Sequence, residues 1–183
     1  MKRSIYKFIF IRLMGWKIEG DSNKDIKKCV YMVMPHTSWQ DFFLGLFTRG
    51  ATGLKINFIA KKELFRFPFG FYFRWIGGVP IDRSGNLNKV EAIATIFEKR
   101  DELRLALSPE GTRKKVTELR SGFYYIALKA NVPIIPVGFD FGKKTISFGN
   151  PLIPSSNYEK DLAVLLEHFV GVTGKVNENI FIP

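Results

Sequence analysis

The sequence has few of the residues that form disulfides and metal sites. Its 183 residues include one cysteine, Cys29, and two histidines, His36 and His168. One cysteine cannot form a disulfide within the chain, and two isolated histidines lack the spacing of zinc ligands. We therefore predict no bound metal and no requirement for an oxidising compartment. Cys29 is expected in the core of a strand, and His168, which belongs to no motif, in a packing or surface role.

The sequence also lacks a long apolar segment. No uninterrupted apolar run approaches the roughly 18 to 20 residues that a membrane span requires. The longest run near the N-terminus is broken by Lys7 and Arg12, and no small-residue cleavage site follows it. These features argue against a membrane-spanning helix and a signal peptide, so the expected location is the cytoplasm.

Acidic residues are scarce relative to basic ones. The chain has 28 Lys and Arg against 17 Asp and Glu, which gives a formal net charge of +11. This excess indicates an anionic partner: nucleic acid, a phosphate-bearing small molecule or an anionic membrane. Aromatic residues make up 15% of the sequence, and many are interleaved with Lys and Arg near the N-terminus and at 65–75.

Residues 1–18 form a candidate interfacial amphipathic helix. Apolar side chains recur there at helical spacing, interrupted by basic residues; they are Ile5, Phe8, Ile9, Leu13 and Trp16. A helix of this kind can lie in a membrane interface with its aromatic side chains at the acyl boundary. It can equally be a first helix packed on the core, and the sequence does not decide between these alternatives.

Strand and helix patterns alternate along the rest of the chain. Strands are predicted at 29–34, 56–61, 78–82, 103–108, 132–140 and 145–149, and helices at 38–47, 63–77, 88–100, 122–130 and 158–169. The helical pattern at 63–77 is expected to include a loop around Pro68. Without a repeat or a linker, this alternation predicts one α/β domain spanning 1–183, with a mixed, largely parallel sheet covered by helices. The prolines of 132–137 are expected on an edge strand.

The segment PHTSWQD contains a candidate catalytic pair. His36 and Asp41 lie five residues apart where a predicted strand leads into a helix. If His36 lies in the turn and Asp41 in the first helical turn, the carboxylate can fix the imidazole tautomer and leave the other ring nitrogen free as a base. Ser38 and Asp41 also match a capping box, which is a purely structural pattern.

Three further motifs follow predicted strands or lie within one. GGVPIDRSG (77–85) contains Arg83. SPEGTRKK (108–115) combines Gly111, which permits close backbone approach, with three phosphate donors, Arg113, Lys114 and Lys115. The last motif is VPIIPV (132–137). Taken alone, the first two of these segments are typical of exposed turns, and the last is typical of the core.

In this order the four motifs resemble those of the glycerolipid acyltransferase family, whose best-known members are the 1-acylglycerol-3-phosphate acyltransferases. The resemblance covers roughly residues 30 to 150 and implies that family's fold. It implies that His36 is the general base and that Asp41 orients it. It further implies a site that binds the acyl acceptor and its phosphate, formed by Lys61, Arg83, Glu110, Gly111, Thr112 and Arg113. Pro133 is implied to shape the acyl-donor side.

The implied activity is transfer of a fatty acyl group from acyl-CoA or acyl-acyl carrier protein to the hydroxyl of a lysophospholipid such as 1-acylglycerol-3-phosphate. No cofactor is implied. The absence of a G-x-S-x-G nucleophile elbow agrees with direct attack on the thioester. The resemblance and the charge together imply a peripheral protein at the inner face of the cell membrane, bound to its anionic surface.

Two departures from the family pattern concern the acceptor pocket. Ser108 stands where the third motif usually begins with Phe, and Pro35 precedes His36 in place of the common Asn. An alternative acceptor is therefore another lipid hydroxyl, such as that of an acylated amino acid. A nucleic-acid-binding module is a further alternative, based on the aromatic segment 67–74, but that segment lacks most of the RNA-binding pattern and nucleic acid is not the expected partner.

Overall fold

A computed structural model describes residues 2–81 and 89–181, with Lys2 described by its backbone alone. Seven strands form one sheet in the order β1-β7-β6-β2-β5-β3-β4. Their bounds are β1 Lys17–Glu19, β2 Lys28–Met34, β3 Ile56–Lys61, β4 Gly78–Ile81, β5 Leu103–Leu107, β6 Ile134–Asp140 and β7 Thr145–Phe148. Only the β6–β7 pair is antiparallel among the described strand pairs. The predicted mixed, largely parallel sheet is confirmed.

Helices cover both faces of this sheet. The α-helices are α1 Lys2–Lys7, α2 Gln40–Thr52, α3 Gly70–Trp75, α4 Lys89–Glu98, α5 Gly122–Ala130 and α6 Tyr158–Glu167. A π-helix, Phe8–Leu13, continues α1, and 3-10 turns span Lys62–Phe65 and Asn177–Asn179. None of the described helices combines the length and apolar character needed to cross a membrane.

The side chains of β2 explain the two layers, because successive residues of a strand point to opposite faces. Val30 and Met32 belong to the core cluster that includes side chains from α4, α5 and α6. Cys29 and Tyr31 belong to the cluster under α2 and the N-terminal helix. Cys29 is fully buried, and burial raises the pKa of its thiol to about 12 despite the nearby Arg104 charge, so the predicted core role is confirmed.

The prediction of an edge strand for 132–137 is wrong, since β6 lies between β7 and β2. Ile134 exchanges both backbone hydrogen bonds with Leu152, and the Pro136 carbonyl accepts one from Gly149 on the same side. Residues two apart in a strand point their backbone groups to the same side, so the Pro136 nitrogen faces the segment that contains Gly149 and Leu152. It lies between the pairing of Ile134 with Leu152 and that of Pro136 with Gly149, where no N–H donor is needed. Regular β6–β7 pairing begins one residue later, at Val137.

Strand β1 and the aromatic segment 63–77 are also informative. The three residues of β1 pair with β7 at the sheet edge and were too short to predict from periodicity. The segment 63–77 forms a 3-10 turn, a loop containing Pro68, and α3, which confirms the helix-plus-loop prediction. Residues 67–74 therefore do not form the strand that the nucleic-acid alternative would need.

The N-terminal helix both packs on the core and exposes apolar side chains. The Tyr6 ring lies over Gly50 of α2, where an added Cβ would come within 2.3 Å of it. Phe10 is completely buried. On the outer side Phe8 and Leu13 remain 56% and 69% exposed. The interpretation as a first helix packed on the core is confirmed, and the exposed face leaves the interfacial role as a prediction.

Candidate functional site

The sheet brings two of the four motifs together at the carboxyl ends of neighbouring strands. β2 and β5 are parallel and adjacent, with Met32 opposite Leu107. The loop after β2 carries His36, and the loop after β5 begins at Ser108. Because parallel strands end at the same edge, the two loops lie side by side at the place where α/β proteins commonly bind ligands.

His36 and Asp41 form a direct pair. His36 Nδ1 lies 3.0 Å from Asp41 Oδ2, with the His36 side chain 27% exposed and that of Asp41 2% exposed. An imidazole that donates from Nδ1 to a carboxylate carries its free lone pair on Nε2. The arrangement therefore suits His36 to accept a proton from a bound hydroxyl.

The same carboxylate also fulfils the structural role that the capping pattern predicted. Asp41 Oδ2 accepts a hydrogen bond of 2.8 Å from the backbone N–H of Ser38, while the Ser38 hydroxyl accepts from the Gln40 N–H at 3.3 Å. Asp41 thus binds the backbone at the start of α2 and the imidazole of His36 through one oxygen. The catalytic and capping interpretations of Ser38 and Asp41 are not exclusive.

Glu110 contacts the loop that carries the histidine. Its Oε2 accepts a hydrogen bond of 2.7 Å from the backbone N–H of His36 and one of 2.9 Å from the Ser108 hydroxyl. The residue is 2% exposed, and Oε1 is buried without a hydrogen-bond partner among the described residues. Burial raises the pKa of the Glu110 carboxyl, although the hydrogen bonds from Ser108 and His36 oppose that change. In this arrangement Glu110 supports the His36 loop from inside the protein.

Gly111 makes the turn that follows. Its φ of +63° lies in the left-handed region, and an added Cβ would lie 2.7 Å from Arg120 Nε. The Gly111 N–H donates to the Ser108 carbonyl, and the Arg120 N–H donates to the Pro109 carbonyl. Glycine at this position therefore permits both the turn and the close approach of the Arg120 side chain.

Two cavities meet at His36. The first, which we call the basic groove, has a volume of about 790 Å³ and cationic side chains on its walls: Lys89, Arg113, Lys114 and Arg120. Gly111 and Thr112 also line it. No Asp or Glu is among its described lining residues, so the groove suits an anionic group.

The second, the apolar cavity, has a volume of about 300 Å³ and lies between α2 and the sheet. Its α2 wall includes Phe42, Leu46 and Arg49, so it extends about 10 Å along the helix at 1.5 Å per residue. His36, Ser108 and Arg113 line both cavities. The histidine thus lies where an apolar space and a cationic space join.

The remaining predicted residues lie in different places. Lys61 is exposed at the carboxyl end of β3, the same end of the sheet as His36. It is not among the described residues that line either cavity. Arg83 lies outside the described residues. Pro133 directly precedes β6, at the amino ends of the strands, where its carbonyl accepts a hydrogen bond from the Val30 N–H. The structure therefore does not bring Pro133 to His36, which follows the carboxyl end of β2.

Sequence reasoning missed Lys89 and Arg120 as lining residues of the basic groove. Both come from segments without a motif, and only the folded chain brings them beside Arg113. Their positive charge was the one available signal. Within residues 2–81 and 89–181, no three His, Cys, Asp or Glu side chains are grouped so that they could hold a metal ion.

Comparison with known proteins identifies the family to which the chain belongs. Residues 16–140 match the family model described as Acyltransferase. A 1-acyl-sn-glycerol-3-phosphate acyltransferase of Streptococcus pneumoniae is 28% identical over 175 residues, covering 82% of this chain and 63% of that protein. The human 1-acyl-sn-glycerol-3-phosphate acyltransferase beta is 37% identical over 86 residues, covering 43% of this chain and 31% of the human protein. The chain thus spans less than two thirds of the length of these curated relatives.

A solved structure shows the same fold. The crystal structure of the 1-acyl-sn-glycerophosphate acyltransferase PlsC from Thermotoga maritima matches with a TM-score of 0.60 at 22% identity. The match covers 94% of this chain and 81% of that chain.

The raised pKa of Glu110 predicts a pH-dependent stability difference. Between the ordinary glutamate pKa of 4.5 and the higher folded value, the folded state binds more protons than the unfolded state, so native stability falls as pH rises through this window. Glu110→Gln removes this contribution. The free energy of unfolding of the variant should therefore rise relative to the native protein as pH increases above about 4.5, in denaturant titrations between pH 4 and 7. A difference that stays constant, or changes in the opposite direction, would contradict the assignment.

Proposed function

Because this chain belongs to the acyltransferase family, we propose that it moves a fatty acyl group from a thioester donor, acyl-CoA or acyl-acyl carrier protein, to the hydroxyl of a lysophospholipid such as 1-acylglycerol-3-phosphate. The observation that carries the proposal is the His36–Asp41 pair at the junction of an apolar cavity and a basic groove. These are the environments that an acyl chain and a phosphate require.

His36 acts as the general base in the proposed reaction. Its Nε2 takes the proton of the acceptor hydroxyl while Nδ1–H remains bound to Asp41, whose charge stabilises the imidazolium that forms. The hydroxyl oxygen then attacks the thioester carbonyl, and the tetrahedral intermediate collapses with release of the thiolate. The imidazolium returns its proton to the thiolate sulfur, which yields the ester, the free thiol and neutral His36.

The apolar cavity is the proposed site of the acyl chain. Its walls combine Phe42 and Leu46 of α2 with strand side chains such as Val137 and Phe139, so an alkyl chain placed there leaves water. The cavity begins beside His36, and a chain that lies along α2 would hold its thioester carbonyl near Nε2. No covalent acyl-enzyme is needed, because a thioester is already an activated acyl group.

The basic groove is the proposed site of the acceptor's phosphate. Arg113 lines both cavities and can bind phosphate with two parallel hydrogen bonds. Lys89, Lys114 and Arg120 add positive charge around the same space. We further propose that Arg83 and Lys61 contribute from the neighbouring strand ends. Glu110 is proposed to serve this site indirectly, through the backbone of His36.

An anionic membrane surface is the proposed location of the reaction. Aromatic side chains of the segment 67–75 are exposed: Phe67 is 98% exposed, Phe71 75%, Phe69 66% and Trp75 59%. Arg66 and Arg74 lie among them and are also exposed. Aromatic rings beside basic side chains are suited to an interface of acyl chains and anionic headgroups. We propose peripheral attachment at the inner face of the cell membrane.

His36→Ala should lower kcat/KM for acyl transfer by about 100-fold to 10,000-fold, the usual contribution of a general base. Asp41→Asn should lower it by at least about 100-fold, because an amide N–H facing Nδ1 favours the wrong tautomer. His168→Ala is the matched control and should retain activity, since His168 contacts Ser147 away from this site. Purified protein is assayed with lysophosphatidate and an acyl thioester. Full activity of His36→Ala would make the assignment of the base wrong.

Arg113→Ala should raise KM for 1-acylglycerol-3-phosphate by about tenfold or more, since a hydrogen bond to a charged group contributes roughly 1.5–3 kcal/mol. With monoacylglycerol, which lacks the phosphate, the same variant should show little change. Lys115→Ala is the control, because Lys115 is exposed and does not line the groove. Products are identified by mass spectrometry from a panel that includes a hydroxyl-bearing acylated amino acid. If the acyl group were transferred only to the acylated amino acid, the proposal that a lysophospholipid is the acceptor would be wrong.

Replacing Phe67, Phe69 and Phe71 together by Ser should weaken binding to phosphatidylglycerol vesicles at least about tenfold, since each buried phenyl group contributes roughly 1.5–3 kcal/mol. Raised salt should weaken binding by the native protein, because screening reduces the attraction of basic residues to the surface. Ile153→Ser is the control: Ile153 is 64% exposed but lies outside this segment. Cosedimentation that is equal for the triple variant and the control would overturn the membrane surface proposed here.

A further inference from the structure

A third cavity lies beside the His36 loop and is unrelated to the proposed transfer reaction. It has a volume of about 770 Å³, and we call it the aromatic groove. Its walls come from α2, the segment before β1, the turn after β6 and the C-terminal segment; the aromatic members are Trp16, Trp39, Phe43, Phe47 and Phe141. None of the described residues that line the aromatic groove lines either cavity at His36.

The aromatic walls are held in place by ring contacts. Trp16 meets Phe141 edge to face at 5.1 Å, and Trp39 meets Phe43 edge to face at 5.5 Å. The floor is fully packed, with Trp16 6% exposed and Leu44 3% exposed. The upper wall is open to solvent, since Trp39 is 60% exposed. A ligand entering from solvent would therefore meet a preformed apolar surface.

The rim of the groove is positively charged. Lys144 donates from its ammonium to the Met14 carbonyl at 3.3 Å, and the Lys175 ammonium lies 6.0 Å from the centre of the Phe141 ring. These contacts place two cations at the edge of the aromatic walls. No Asp or Glu is among the described residues that line the groove.

The C-terminal side of the groove is tied to the sheet and to the His36 loop. The Thr173 hydroxyl donates to Asp140 at 2.7 Å and accepts from the Gly142 N–H at 2.9 Å. The Thr37 hydroxyl accepts from the Val176 N–H at 3.2 Å. Hydrogen bonds on both sides of Lys175 therefore hold its backbone against the rest of the protein.

We propose that the aromatic groove binds one anionic lipid, with its aliphatic chain against the tryptophan and phenylalanine rings and its phosphate at Lys144 and Lys175. Charge complementarity argues for an anionic occupant, and the aromatic floor argues for an aliphatic chain. A lipid source is supported by Leu13, which is 69% exposed and directly precedes Met14, a lining residue of the groove. This proposal concerns a site separate from the His36 cavities and stands or fails independently of the transferase activity.

The test uses Trp16 as reporter in a Trp39→Phe/Trp75→Phe background, which leaves one tryptophan, in the floor of the groove. Dodecyl phosphate, titrated below its critical micelle concentration, should change Trp16 fluorescence in a saturable way. Lys144→Glu/Lys175→Glu should weaken binding at least about tenfold, because two cations near the phosphate are lost. Lys27→Glu/Lys99→Glu alters net charge equally at exposed lysines elsewhere and should change affinity by less than about twofold.

Three further arms separate the groove from other binding sites. Arg113→Ala should leave the affinity for dodecyl phosphate unchanged; loss of binding in this variant would mean that the probe reports the basic groove, and the proposal would be wrong. Inorganic phosphate and dodecyl maltoside should each produce little response. An equal response to inorganic phosphate would show an anion site without a chain site. An equal response to dodecyl maltoside, equal affinities of the two double variants, or no response to dodecyl phosphate would also overturn the proposal.

Discussion

Asp41 Oδ2 accepts two hydrogen bonds at the start of α2, one from the Ser38 backbone and one from the His36 imidazole. The carboxylate is almost completely buried, so water does not compete for either bond. One oxygen therefore binds the backbone just before α2 and the Nδ1 of His36, which leaves Nε2 of that ring free. The proposed transfer depends on this pair of bonds, because it requires a free Nε2 where the two cavities join.

A second carboxylate supports the same loop from the other side. Glu110 reaches the His36 N–H because β5 lies next to β2 in the sheet, which places the two following loops in contact. The loop thus contacts Asp41 through the imidazole and Glu110 through the backbone, and neither contact uses a long, exposed side chain. Burial raises the pKa of Glu110, which disfavours its charged form, while the hydrogen bonds from Ser108 and His36 oppose that change.

The sequence predicted the local elements better than their long-range contacts. The predicted bounds of β3 and α5 agree with the structure, because the apolar pattern of β3 ends at the charged Lys61 and α5 ends before Asn131, which adopts a left-handed conformation. The pairing of His36 with Asp41 was also predictable, since both residues lie in one loop and the first turn of the next helix. The capping pattern at Ser38 was an alternative only until one carboxylate oxygen was found to serve both roles.

Features that depend on distant segments were not predictable in the same way. Glu110 is 74 residues from His36, and its contact with the His36 backbone follows from strand order, which periodicity does not specify. Pro136 was assigned to an edge because proline lacks an N–H, but local pairing with Gly149 leaves a place for it inside the sheet. The lining residue Arg120 carried no motif that could have placed it in the basic groove.

The state of the His36 ring is the most direct test of this account. Nitrogen-15 NMR of the labelled protein, recorded at a pH where the imidazole is neutral, distinguishes the protonated ring nitrogen from the unprotonated one. The account predicts a proton on Nδ1, an unprotonated Nε2, and loss of this preference in Asp41→Asn. A native protein in which Nε2 carries the proton, with no change in the Asp41 variant, would contradict the assignment of His36 as a base oriented by Asp41.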